Sequence, residues 1–268
     1  MNTAPLVLIH GFPLDHRMWS AVQKALPSAI KVLAPDLPGF AGSPIDSGIP
    51  AMDGYVEYVA RYLKVRGEHD VVLAGTSMGG YVALAFAQKY PDRVRGIALI
   101  DSQSKSDTPE TVSKRQEQIA NIRAGKLETV LGQLLPKLFS PEAIQFHSYA
   151  RECAQSANPE GLINALEAMA ARPDRTEWLQ QARIPISIIH ASKDEVIPLD
   201  KAHKLFESIS GATWAEVAGG HSSPMEDPKG VAEGLIQLMQ KVIPNGKLVS
   251  DTKQYRPGLV WSPSDKGL

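Results

Sequence analysis

The stretch that most restricts how this chain can fold is Val71-Val72-Leu73-Ala74-Gly75-Thr76-Ser77-Met78-Gly79-Gly80, followed without a break by the alanine-rich run Tyr81 to Gln88. Val71 to Ala74 is apolar at every position, which predicts a strand covered on both faces of a sheet. Tyr81 to Gln88 has good helix propensity. Gly75-Thr76-Ser77-Met78-Gly79 between them is a G-x-S-x-G pattern in a strand–turn–helix setting. So sharp a turn strains the backbone of its central residue, and its neighbours two positions away must be small. The turn lifts the Ser77 hydroxyl clear of the sheet, at a helix N-terminus whose N–H groups and dipole favour a developing negative charge. Ser77 is therefore a candidate nucleophile. An ordinary N-cap serine is the competing reading, and five residues alone do not choose between them.

Around this element the chain alternates. Leu6 to Ile9 predicts a strand, Asp15 to Leu26 a helix, Lys31 to Pro35 a short strand and Met52 to Val65 an amphipathic helix with Tyr55, Val56, Val59, Tyr62 and Leu63 on one face. Gly96 to Ile100 is a fourth strand. Such alternation implies a parallel sheet with helices on both faces. From Ser102 to about Arg183 only helical segments are legible: Lys114 to Arg123, Leu127 to Leu138, Glu142 to Ala154 and Glu160 to Met169, punctuated by Pro136, Pro141, Pro159 and Pro173. The alternation then resumes with a strand from Ile186 to His190, a helix from Leu199 to Ser208, a strand from Thr213 to Val217 and a last helix from about Pro228 to Val242. The expected organisation is a core of residues 1–102 and 184–243, a helical cap of residues 103–183 inserted in it, and a loose tail, 244–268, in which Tyr255 and Trp261 are the residues able to dock.

Composition excludes several classes of function. The net charge is −1 with no block of like charges, so neither a nucleic-acid nor an anionic-membrane partner is expected. Cys153 is the only cysteine, which rules out an intramolecular disulfide and suits a reducing cytosol; it sits mid-helix without the signature of a catalytic thiol. No run approaches the ~20 apolar residues of a membrane span and no leader pattern opens the chain, so a soluble, cytoplasmic protein is expected. The seven histidines show no H-E-x-x-H or clustered ligand spacing, and neither a metal nor a cofactor is expected. Oligomeric state is not legible.

In an open parallel sheet, ligands bind beyond the carboxyl ends of the strands. The residues expected there are His10-Gly11-Phe12, Asp36, Ser77-Met78, Asp101-Ser102, Ser192-Lys193-Asp194 and Gly219-Gly220-His221. A serine hydroxyl needs a base to take its proton, and the base needs a carboxylate to orient it. Ser77, Asp194 and His221 occur in the Ser…Asp…His order that accompanies this kind of turn. Asp101 competes as the acid because it too ends a strand; chain order and the following Val196-Ile197-Pro198 favour Asp194. Backbone N–H groups of Phe12 and Met78 are the candidate oxyanion hole.

With these pieces assembled, residues from Leu6 to about Val242 resemble the α/β-hydrolase fold superfamily. His10-Gly11-Phe12 resembles its H-G-x oxyanion loop. Asp36-Leu37-Pro38-Gly39-Phe40-Ala41-Gly42-Ser43 resembles its D-x-P-G-x-G-x-S loop, with Ala41 either an extra residue or in the variable place. Ser77, Asp194 and His221 match nucleophile, acid and base, and the helical insertion matches the cap. The resemblance implies an α/β fold with a mostly parallel sheet of about six strands, flanked by helices and lacking the family's N-terminal hairpin, since the first strand begins near Met1. It implies a serine hydrolase acting on small to medium, partly hydrophobic carboxylic esters through an acyl-enzyme. His10 and Asp36 then order their own loops. Phe139, Phe146, Tyr149 and Met169, with Ile197 beside the acid, are candidates for the substrate pocket, plain packing being the alternative for each. Dehalogenases and epoxide hydrolases of the superfamily use Asp in the place of Ser77 and are disfavoured. Lactone or C–C hydrolysis, perhydrolase or haloperoxidase-like chemistry without cofactor, and a ligand-sensing receptor on this fold stay open.

Overall fold

Residues 4–45 and 51–243 are described by a computed structural model of the chain. Strands β1 (Leu6–Ile9), β2 (Val32–Leu33), β3 (Val71–Thr76), β4 (Val94–Ile100), β5 (Ile186–Ala191) and β6 (Thr213–Val217) form one sheet in the order β2-β1-β3-β4-β5-β6, with every neighbouring pair parallel. β1, β3 and β5 are buried at every residue, which is why they read as unbroken apolar runs rather than alternating ones. β2 pairs over two residues only, shorter than the expected Lys31 to Pro35: it is an edge strand, and Pro35 has no N–H to extend the ladder.

Helices α1 (Ser20–Ala25), α2 (Ala51–Val65) and α3 (Met78–Lys89) connect the first strands, with a 3-10 turn, His16–Trp19, leading into α1. Side chains alternate between the sheet's two faces. Val7, Ile9 and Leu73 share one buried cluster with Val56 of α2 and Val82 of α3. Leu6, Leu8, Val72 and Ala74 share the other with Val22 of α1. α3 starts at Met78, three residues before the expected Tyr81, because packing overrides the poor helix propensity of Gly79 and Gly80. A Cβ on Gly75 would lie 2.1 Å from the Gly79 carbonyl carbon, and one on Gly79 would lie 2.1 Å from the Ile9 oxygen. The two glycines let the first turn of α3 cross β1 and β3 in near-backbone contact.

Five helices lie between β4 and β5: α4 (Pro109–Arg123), α5 (Leu127–Leu138), α6 (His147–Ser156), α7 (Pro159–Ala171) and α8 (Thr176–Gln181). The single helix expected from Glu142 to Ala154 is two pieces, a 3-10 segment Pro141–Phe146 and α6, because Ala143 leaves helical geometry at φ −100, ψ 28. Pro136 does not stop α5 but sits in its last turn, where it removes one ladder bond. α8 is too short to be legible as a periodic pattern. α9 (Leu199–Glu207), the single turn α10 (Ser223–Glu226) and α11 (Pro228–Val242) complete the fold, Leu235 and Leu238 of α11 joining the cluster on the α1 face. The expected tail, 244–268 with Tyr255 and Trp261, lies outside the described residues. Among the described residues no helix is long and apolar enough to cross a membrane.

Candidate active site

Ser77 sits between β3 and α3 at φ 51, ψ −115, a region that L-residues enter only when their surroundings hold them there. The holding contacts are specific. Its N–H donates to the Ile100 oxygen (3.0 Å), and its carbonyl accepts from Gly80 N–H (2.9 Å) and Ser102 Oγ (2.8 Å). The loop after β1 presses against it: a Cβ on Gly11 would stand 3.5 Å from Ser77 Cβ. Ser77 is half-buried, whereas His221 and Asp194 are buried.

Ser77 Oγ lies 2.8 Å from His221 Nε2, and His221 Nδ1 lies 2.7 Å from Asp194 Oδ2. Both contacts are satisfied by the neutral tautomer that donates from Nδ1 to the carboxylate and accepts the serine proton on Nε2. The second Asp194 oxygen accepts the N–H groups of Val196 (2.7 Å) and Ile197 (2.8 Å), a tight turn that fixes the carboxylate before any substrate arrives. Burial by itself would raise this carboxyl. The adjacent His221, the hydrogen bond to it and the Ile197 N–H outweigh that and hold it below the usual carboxylate range. Burial likewise opposes a charge on His221, and attraction to Asp194 reverses the sign, so the imidazole titrates above its ordinary value. The arrangement is a hydrogen-bonded serine–imidazole–carboxylate chain, able to move a proton off a hydroxyl and stabilise the cation that results.

Asp101 does different work. Fully buried and at φ 45, it accepts Ala191 N–H on Oδ1 (2.9 Å) and Ser223 N–H on Oδ2 (3.0 Å), joining the end of β4 to β5 and to α10. Burial first, and repulsion from Asp194 second, push its carboxyl up to about 6. The N–H groups of Phe12 and Met78, the latter at the first position of α3, have no protein acceptor among the described residues. His10 donates from Nδ1 to the Gly11 oxygen (3.1 Å) and accepts Leu37 N–H on Nε2 (3.0 Å), tying the loops after β1 and β2; burial keeps its pKa low. Asp36 accepts from His16, both at its N–H (2.8 Å) and at Nδ1 (2.7 Å).

The five candidate pocket residues do not form one wall. Phe139 lies in the cluster on the α1 face, with Phe146, its ring tilted at a centroid distance of 5.7 Å, and Tyr149 packed against it. Met169 belongs to the opposite cluster, with Phe12, Phe40 and Met78. Ile197 is buried beside the acid, where its carbonyl accepts from His190 Nε2 (2.8 Å). Two residues escaped sequence reading. His190, next to last in β5, has its Nε2 3.5 Å from Asp194 Oδ2. Glu226 on α10 accepts from Gly220 N–H (2.9 Å) and from the N–H (3.2 Å) and hydroxyl of Ser140, in the insertion. Neither has a motif; the only hint was their nearness in sequence to Asp194 and His221.

Among the described residues, two groups bring metal-ligating atoms together, Asp15-His16-Asp36 and Asp101-His190-Asp194. Most of their atoms already have partners, Asp15 with Arg17 (2.8 Å), His16 with Asp36, Asp101 with two backbone N–H groups and His190 Nε2 with Ile197, while the buried His190 Nδ1 has none. The Cys153 thiol is pushed up to about 12 by burial, which leaves it a poor nucleophile.

Comparison with known proteins agrees with this fold. A family model described as "Alpha/beta hydrolase family" matches residues 6–234. The chain is 28% identical over 252 residues to the pimeloyl-[acyl-carrier protein] methyl ester esterase of Aromatoleum aromaticum, covering 87% of this chain and 96% of that protein. It is 26% identical to human monoacylglycerol lipase ABHD6, covering 88% of this chain and 75% of that one. Among solved structures, a thermophilic esterase from Thermogutta terrifontis superposes with a TM-score of 0.85 at 31% identity, covering 90% of this chain and 91% of the other.

Proposed function

Because the chain belongs to the alpha/beta hydrolase family, we propose that it is a serine hydrolase of carboxylic esters, with Ser77 as nucleophile, His221 as base and Asp194 as the acid that orients it. The observation that carries the reading is the unbroken hydrogen-bonded chain, 2.8 Å from Ser77 to His221 and 2.7 Å from His221 to Asp194.

In this mechanism Ser77 Oγ attacks the ester carbonyl carbon while His221 Nε2 takes its proton. Asp194 stabilises the imidazolium that forms. The carbonyl oxygen becomes an oxyanion held by the N–H groups of Phe12 and Met78, each such donor contributing about 2.7–4 kcal/mol to the transition state. Collapse of the tetrahedral intermediate breaks the C–O bond, and the alcohol leaves with the proton from His221. A water, deprotonated by His221, then attacks the acyl-enzyme and releases the acid with Ser77 restored. No cofactor takes part. Residues 103–183 act as a cap over this centre, and of the candidate pocket residues Phe139, beside the loop of the base, and Ile197, beside the acid, are assigned to the acyl pocket. Phe139 has the most direct support, since its backbone meets Gly220, the residue before His221. Two relatives named for a pimeloyl methyl ester and for monoacylglycerol favour an ester with an aliphatic acyl chain.

The test is hydrolysis of p-nitrophenyl esters of graded chain length by the wild type and by Ser77→Ala. The variant is expected to lose at least about 10⁴-fold in kcat. Equal rates would overturn the nucleophile, and a preference for lactones over open esters would redirect the substrate class.

A further inference from the structure

We propose that Glu226 is a positioning residue that binds the loop carrying His221 to the helical insertion, so that the base is in register only while the insertion is seated on the core; its kinetic consequence rests on the serine-hydrolase reading above. One carboxylate gathers three donors from two separate parts of the fold. Gly220 N–H (2.9 Å) comes from the loop after β6, and Ser140 N–H (3.2 Å) with the Ser140 hydroxyl comes from the junction between α5 and the 3-10 segment that follows. The three donors converge on the two carboxylate oxygens. A glutamine offers one acceptor and turns an NH₂ group against a donor.

The packing around these bonds leaves no slack. Gly219, at φ +102, could not carry a side chain: its Cβ would stand 2.7 Å from Glu226 Cβ. A Cβ on Gly220 would stand 2.7 Å from Ser140 N and 2.8 Å from the Phe139 carbonyl carbon. The base loop is thus clasped between Glu226 on one side and the Phe139–Ser140 backbone on the other. His221 follows immediately, with no intervening residue to absorb a shift. On the insertion side, Phe139 is anchored by ring contacts with Phe146 (5.7 Å) and His147 (5.6 Å), so displacement of that segment is transmitted to Ser140 and through Glu226 to the loop of the base.

The experiment compares wild type, Glu226→Gln, Ser140→Ala and the double variant, by kinetics on p-nitrophenyl acetate and by hydrogen–deuterium exchange over residues 137–146 and 217–222. Glu226→Gln is expected to lower kcat by about 10- to 100-fold, the scale of loss from a misplacement of about 1 Å, with KM little changed because the base acts in the transition state. Exchange should quicken in both segments. Ser140→Ala, which removes one hydroxyl and leaves the backbone intact, should show a smaller loss in the same direction. The double variant should be no worse than Glu226→Gln, because Ser140 acts through Glu226. Wild-type kcat in Glu226→Gln, a change confined to KM, additive losses, or exchange that quickens at 217–222 alone would each overturn the proposal. If the wild type hydrolysed no ester, the serine-hydrolase reading would fall, and the exchange pattern alone would decide whether Glu226 joins the two segments.

Discussion

Two carboxylates lie behind His221, and their hydrogen bonds divide the work between them. Asp194 gives one oxygen to the imidazole, while both oxygens of Asp101 are taken by backbone N–H groups. Asp194→Asn is therefore expected to lower kcat by about 10⁴-fold, by favouring the wrong imidazole tautomer. Asp101→Asn should act mainly on stability, at a cost of about 1–3 kcal/mol, because its amide leaves one buried N–H facing a donor. A larger kinetic loss from the Asp101 change would exchange their roles. The pH profile carries a second signature. His221 is raised above its ordinary 6.5, so kcat/KM should climb with pH through a midpoint above that value, as the imidazole loses its proton; loss of the Asp194 charge should move the midpoint down. For Asp101 the sign concerns stability. Its carboxyl titrates at about 6 in the fold against an ordinary 3.8, so the folded state holds an extra proton between those values and this group's contribution declines as pH rises across them. Denaturant titrations at several pH values would show that slope flattened in Asp101→Asn.

At the scale of elements, the turn from β3 into α3 depends on backbone approach. Replacing a helical glycine by alanine ordinarily stabilises by about 1 kcal/mol. Gly79→Ala should reverse that sign, because its methyl would stand 2.1 Å from the Ile9 oxygen, and overpacking of this kind costs about 1–3 kcal/mol or more. A thermal melt decides it: a stabilised Gly79→Ala would show that α3 and β1 are not so tightly crossed. This element also shows what local pattern conveys. Val71 to Ala74 reads as a strand because both its faces are covered. The start of α3 at Met78 does not read, because two glycines with poor helix propensity are held there by what they cross. The broken segment after Pro141 is similar: Ala143 leaves the helix for reasons of packing that no periodicity records.

Across the whole molecule, the insertion is fastened to the core at several separate places. Gly39, in the loop after β2, meets Gly161 of α7 so closely that a Cβ on Gly161 would lie 2.5 Å from Gly39 Cα, and Asn158 N–H donates to the Gly39 oxygen (2.9 Å). Near the two ends of the insertion, buried Arg172 pairs with Asp107 (2.7 Å), which Arg115 also binds (2.5 Å), while the Arg172 guanidinium lies 3.8 Å over the Tyr81 ring of α3. Glu226 supplies a further attachment, to Ser140. Gly161→Ala should part α7 from the core loop, costing about 1–3 kcal/mol, or several degrees in Tm for a chain of this size. Calorimetry tests this directly, and an unchanged Tm would mean that the contact at Gly39 is not a seam.

Taken alone, the sequence determined what is written in local pattern. The parallel α/β order follows from the alternation of apolar strands and amphipathic helices. The strained turn at Ser77 follows from its flanking glycines, and the chain order Ser77, Asp194, His221 named the residues that the fold brings together. Those signals are legible because each depends on neighbours within a few residues. Chain order favoured Asp194 over Asp101 as the partner of His221, but only the tertiary structure showed what Asp101 does instead, taking the N–H groups of Ala191 and Ser223. It alone separated Phe139 from Met169, in different buried clusters, and drew Glu226 against Gly220 and Ser140. Such contacts join segments distant along the chain, and they arise from close packing and the need to satisfy buried donors, neither of which leaves a periodic trace in the residues themselves.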